Sequence, residues 1–149
     1  MAIEGYSSRK GQIMGQQIHS YRDLRVYQES FQLQQDVFDA SKAWPKEEKY
    51  ALTDQARRAS RSVGSNIAES WAKRIYPSHF VSKLTDADGE LQETLHWLST
   101  ALACAYITAR QQTDFQVRIE NIGRMLGKMI SKPECFMPAA DLRLPTSDF

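Results

Sequence analysis

Between residues 52 and 76 apolar positions return every three or four residues, so that Leu52, Ala56, Ala59, Val63, Ile67 and Ser70 share one face of a helix at about 100° per residue. A polar stripe runs beside that face: Gln55, Arg58, Ser62, Asn66, Glu69 and Lys73. Arg57 and Arg61 fall on the opposite side and read as solvated. The pattern predicts one long amphipathic helix, with Thr53 as its cap. Gly64 stands inside it, at a cost of about 1 kcal/mol relative to alanine, which close backbone packing would offset.

Three further segments repeat the period. Ser20, with Asp23 three residues on, predicts a capped start to a helix reaching about Ala43, its face made of Leu24, Tyr27, Phe31, Val37 and Phe38. Trp44-Pro45 ends it, because proline disfavours helical geometry in the residue before it. Tyr76-Pro77 is the next break. From Ser78, taken as an N-cap, Phe80, Leu84, Ala87, Leu91, Leu95, Leu98, Leu102 and Ala105 predict a third helix to about Thr108, with Asp86, Glu90 and Glu93 on its far side and Gly89 as a second point of close approach. A fourth helix is expected from Thr113 to Ser131, burying Phe115, Ile119, Ile122, Leu126 and Met129 and leaving Arg118, Arg124 and Lys128 outside.

Four amphipathic helices, short connections and no alternating strand pattern predict an all-α, up-down-up-down antiparallel four-helix bundle over residues 20–132. Residues 1–19, rich in Gly, Ser and Gln, read as a flexible arm. Residues 133–149 read as a proline-containing tail whose Phe136, Met137, Leu142, Leu144 and Phe149 could pack on the bundle or on a partner.

Charge narrows the choice of function. The 149-residue chain carries a formal net charge of +1, too little for long-range attraction to phosphate. The distribution is uneven: residues 46–74 hold seven Lys or Arg against four acids, and residues 78–110 hold two against four. Arg57, Arg61, Lys73, Arg74, Arg118, Arg124 and Lys128 are therefore candidate nucleic-acid contacts, with Trp71 and Tyr76 as stacking groups. No run approaches the roughly 20 apolar residues of a membrane span, so no membrane partner and a cytoplasmic location are expected. Cys104 and Cys135 lie far apart and form no Cys-x-x-Cys pair; Cys104 reads as a buried, inert thiol.

Catalytic patterns are missing from the sequence. Glu93-x-x-His96 has the spacing of one half of a di-iron site, but there is no second copy, and both residues point away from the Leu91, Leu95, Leu98 face. No phosphate loop, nucleophile turn or Cys-His pair accompanies it. No catalytic residue, metal or cofactor is expected.

Tyr21-Arg22-Asp23-Leu24-Arg25-Val26-Tyr27-Gln28, Trp44-Pro45-x-x-Glu48-x-Tyr50-x-Leu52 and Gln55-x-Arg57-Arg58-Ala59-x-x-Ser62-Val63-x-x-Asn66-Ile67-Ala68-Glu69 resemble the 23S rRNA intervening-sequence proteins and their relatives, the accessory variability determinants of diversity-generating retroelements. The resemblance covers residues 21–131. It implies a homo-oligomeric ring of bundles, typically a pentamer, without established catalysis; the retroelement branch binds a reverse transcriptase and its RNA through a basic surface. Where the family usually has Gly-x-Gly, Ser70-Trp71-Ala72 stands here, so the helix is expected to continue through that point. By position, Gln55, Arg58, Ser62, Asn66 and Glu69 become candidate contacts to a neighbouring helix or subunit, and Arg58 is expected to matter more for folding or assembly than Arg57. The reading is a non-enzymatic scaffold or adaptor that assembles with itself, with another protein as a further candidate partner, and the alternative is an RNA- or DNA-binding accessory protein.

Overall fold

In the computed structural model, residues 12–13 and 16–138 are described. Four α-helices account for most of them: α1 (Arg25–Ser41), α2 (Asp54–Ala72), α3 (Pro77–Ala103) and α4 (Ala109–Ser131). Consecutive helices pack on one another, and α4 returns to α1, closing an all-α bundle. Leu33, Val37, Val63, Ile67, Phe80, Leu84, Leu91, Leu98, Ile122 and Leu126 fill its centre. Contact is most extensive between α2 and α3, where small buried side chains (Ala56, Ala59 and Ser60 on α2, Ala87 and Ala101 on α3) let the helices approach.

Helix ends depart from the sequence expectations for local reasons. Ser20 and Asp23 do form a reciprocal capping box, but it opens a single 3-10 turn, Tyr21–Asp23; Leu24 is extended, and α1 begins after it. The buried stripe of α1 is Val26, Ser30, Leu33, Val37 and Ser41, while Phe31 is 46% exposed. Serine at two core-facing places, its hydroxyl donating back to a helix carbonyl, disguised that stripe. Thr53 does not cap α2: it lies in a helical conformation at the end of a π turn, Lys49–Thr53, that runs directly into the helix. As expected, α2 continues through Ser70-Trp71, but it stops at Ala72, short of residue 76.

Proline at the first position, after an extended Tyr76, starts α3, and Ser78 lies inside it. The same helix ends at Ala103, earlier than its leucine pattern suggested. Ala105 takes a left-handed backbone, φ 62°, and the amides of Tyr106 and Ala105 return to the carbonyls of Ala101 and Leu102 at 2.8 and 2.9 Å, a Schellman stop. That turn exposes Cys104, which is not the buried thiol expected. Thr108 caps α4, its hydroxyl accepting from Gln111 N at 3.1 Å while Gln111 Oε1 accepts from Thr108 N at 2.8 Å. The helix therefore begins one turn before Thr113. All five residues of its predicted apolar stripe are buried.

Beyond the bundle, Phe136 stacks on Phe80 with ring centroids 5.9 Å apart, and Met137 is half-buried against the core. Leu142, Leu144 and Phe149 lie outside the described residues, as does most of the predicted arm; in it, Gln12–Ile13 pairs antiparallel with Gln16–Gln17.

Candidate assembly and nucleic-acid surfaces

The polar stripe of α2 lies along its seam with α3. Glu69 accepts from Lys73 at 3.2 Å and from Lys83 of α3 at 3.3 Å, and Lys83 also reaches Asp86 at 3.7 Å. These cations hold the Glu69 carboxyl below its usual range, Lys73 contributing most. Ser62 Oγ and Asn66 Nδ2 donate within α2, to Arg58 O and Ser62 O at 2.9 Å each, and Gln55 is half-buried. Opposite them Glu90 is half-buried. Burial, with Glu93 and Asp86 adding to it, raises its carboxyl, while Arg58 pulls weakly the other way.

Arg57 is not the solvated residue expected of it, and Arg58 is not held within the chain. Arg58 is exposed and makes no side-chain hydrogen bond or ion pair among the described residues. Arg57 is half-buried: its Nε donates to Ser41 Oγ at 2.8 Å, and its guanidinium lies 4.6 Å from the Phe38 ring centroid. The reason is angular, since Arg57 faces the flank of α1, whereas Arg58 lies one residue further round the helix, toward solvent.

Several candidate phosphate contacts are engaged within the chain. Arg118 pairs with Asp36 of α1 at 2.8 Å. Arg74 donates to Trp71 O at 2.8 Å and covers the Trp71 ring at 4.1 Å; that ring is buried and offers no stacking face. Lys73 is held by Glu69, and Arg124 donates to Asn121 Oδ1. Lys128 and Arg61 are exposed. Arg61 lies 5.5 Å from the Phe38 ring, which Lys42 also approaches to 4.7 Å, so Lys42, Arg57 and Arg61 converge on one aromatic side chain.

Next to that cluster is a groove the apolar pattern did not reveal. Tyr21, Tyr27, Phe31 and Gln34 line it on one side and Arg61, Gly64, Ser65 and Ala68 of α2 on the other. Tyr21 meets Tyr27 edge-on at 4.8 Å, and Tyr27 lies 6.1 Å from Phe31. Gly64 is buried under the Tyr27 ring, from which a Cβ at that position would stand 3.5 Å. The available signal was the aromatic pair Tyr27 and Phe31 at a spacing of four, flanking rather than filling the core face of α1.

Elsewhere, Glu93 and His96 are exposed, and Glu93 accepts from Trp97 Nε1 at 3.2 Å. Among the described residues no three His, Cys, Asp or Glu are grouped to hold a metal ion, and no helix is long and apolar enough to cross a membrane. Gly89 is exposed, with nothing within 4 Å of the place a Cβ would occupy, so the close approach expected there does not occur among the described residues.

The chain is similar over most of its length to a protein of unknown function from the S23 ribosomal protein family of Bacteroides thetaiotaomicron, solved at 1.70 Å: 25% identity, a TM-score of 0.64, 71% of this chain and 95% of that one covered. No curated protein matches it. The 23S rRNA-intervening sequence protein family matches residues 22–128, from the Arg-Asp-Leu turn before α1 to the last turns of α4. This chain therefore belongs to the 23S rRNA-intervening sequence protein family.

Proposed function

We propose that the protein is a non-enzymatic, cytoplasmic four-helix bundle that assembles with itself into a ring and serves as a scaffold or adaptor. The observation that supports this reading is the aromatic groove between α1 and α2, with Phe31 46% exposed beside it. Large apolar side chains next to a recess are what an interface core requires. A ring of five is the expectation carried by the family resemblance. Sedimentation velocity and light scattering on the purified full chain test it: a single species several times the mass of one chain is expected, and a monomer at tens of micromolar would reject the reading.

A second reading, nucleic-acid binding, is favoured by one observation, the convergence of Lys42, Arg57 and Arg61 on Phe38. Arginine beside aromatic groups is a general means of holding single strands. Repetition of the patch around a ring would add avidity that one patch lacks. Anisotropy with a labelled structured RNA and a DNA duplex at about 50 and 200 mM salt separates the readings, since several phosphate contacts lose orders of magnitude in affinity over that range. No binding by a well-formed oligomer would leave the scaffold reading alone.

A further inference from the structure

We infer that the α1/α2 groove of one copy receives the outer ridge of α3, Asp86 to Glu93, of a second copy, so that assembly is head-to-tail. The inference rests on the assembly reading above and names its two faces.

Charge selects the pair. Arg61 lines the groove, and Arg57 and Arg58 lie in the adjoining recess with Asp54 as the acid among its lining residues, while Lys42 is paired with Asp39 at 3.1 Å. On α3, Asp86, Glu90 and Glu93 share their stretch of helix with one cation, Lys83, which is itself divided between Asp86 and Glu69 of α2, and Arg58 of the same chain acts only weakly on Glu90. Glu90, half-buried and crowded by Glu93 and Asp86, has its carboxyl raised first by burial and then by these neighbours, and an incoming cation would offset both. The exposed face of α4 mixes Arg110, Arg124 and Lys128 with Asp114 and Glu120, so it offers the groove no comparable acidic ridge.

Shape selects the same pair. Gly89 sits mid-helix at the centre of the acidic ridge with open space where its side chain would be. A helix-interior glycine costs about 1 kcal/mol relative to alanine, and among the described residues nothing packs at Gly89 to offset that cost. Phe31, 46% exposed in the lining of the groove, is the apolar side chain available to fill that open position. Two different faces meeting in this way form a heterologous contact, which closes into a ring when the rotation between copies permits.

Charge reversal in the full chain tests the inference. Arg61→Glu alone and Glu93→Arg alone should each raise the concentration for half-assembly by about tenfold or more, and the double variant, which reverses both signs at every contact, should recover to within about threefold of the wild type. Gly89→Leu should raise the melting temperature of the dissociated bundle while weakening assembly, a combination that a purely structural role would not produce. Unchanged assembly of both single variants, or a double variant no better than Arg61→Glu, would overturn the head-to-tail contact while leaving self-assembly standing. A monomeric wild type would instead reject the assembly reading on which it rests.

Discussion

Arg57 Nε donates to Ser41 Oγ at 2.8 Å, fastening the first turn of α2 to the last residue of α1. Its guanidinium also covers Phe38, whereas the exposed Arg58 beside it has no such partner. Arg57→Ala is expected to lower bundle stability by about 1–2 kcal/mol, one hydrogen bond plus a cation–π contact. For Arg58→Ala the loss should stay below about 0.5 kcal/mol. Urea denaturation of both variants at a protein concentration too low for assembly checks the order, and equal losses would contradict it.

The engagement of Arg57, expected to be solvated, marks one limit of sequence reading. Core faces made of large apolar residues, such as Phe115 to Met129 on α4, are legible because a period of 3.6 residues leaves them nowhere else to go. On α1 the stripe includes Ser30 and Ser41, so a hydrophobicity pattern drifts toward Phe31 and Phe38 at its edge. Which of two adjacent arginines is held depends on the neighbouring helix, a fact of packing that no local pattern contains. The groove was hidden for the same reason, because its two sides come from different parts of the chain.

Ala105 ends α3 with φ 62°, a conformation that costs a residue with a Cβ roughly 1–2 kcal/mol and glycine almost nothing. Both Schellman hydrogen bonds hold it there. Ala105→Gly is expected to stabilise the bundle by about 0.5–1 kcal/mol, after the larger unfolded-state entropy of glycine is allowed for. A rise of a few degrees in melting temperature would show it, and a fall would mean that the turn is not left-handed in solution.

At Gly64 the expected sign is also toward greater stability, because a Cβ would meet the Tyr27 ring at 3.5 Å, an ordinary van der Waals distance. Gly64→Ala should gain up to about 1 kcal/mol of helix propensity. Gly64→Leu should lose about 1–3 kcal/mol, its larger side chain driven into the ring. Thermal melts of the pair report whether α1 and α2 pack as closely as the structure has them.

Glu69 and Glu90 face the α2/α3 seam with opposite pH dependence. The carboxyl of Glu69 is lowered, first by Lys73 and then by Lys83, so its stabilisation is complete above the unfolded-state value and is lost as pH falls through the folded one. For Glu90 the folded value is raised, mainly by burial and then by Glu93 and Asp86. The folded state therefore binds the proton more tightly than the unfolded state does, and stability falls as pH rises from the ordinary carboxylate range through that raised value. Glu90→Gln removes the charge without much change in shape. At neutral pH it is expected to be more stable than the wild type, with the advantage shrinking in acid as the wild-type carboxyl takes up its proton. Glu69→Gln should do the reverse, being less stable at neutral pH and converging on the wild type in acid. Denaturation curves of the three proteins between about pH 3 and 8, run at concentrations where each is dissociated, read both trends. A Glu90→Gln variant that is less stable than the wild type at neutral pH would place a cation against that carboxylate.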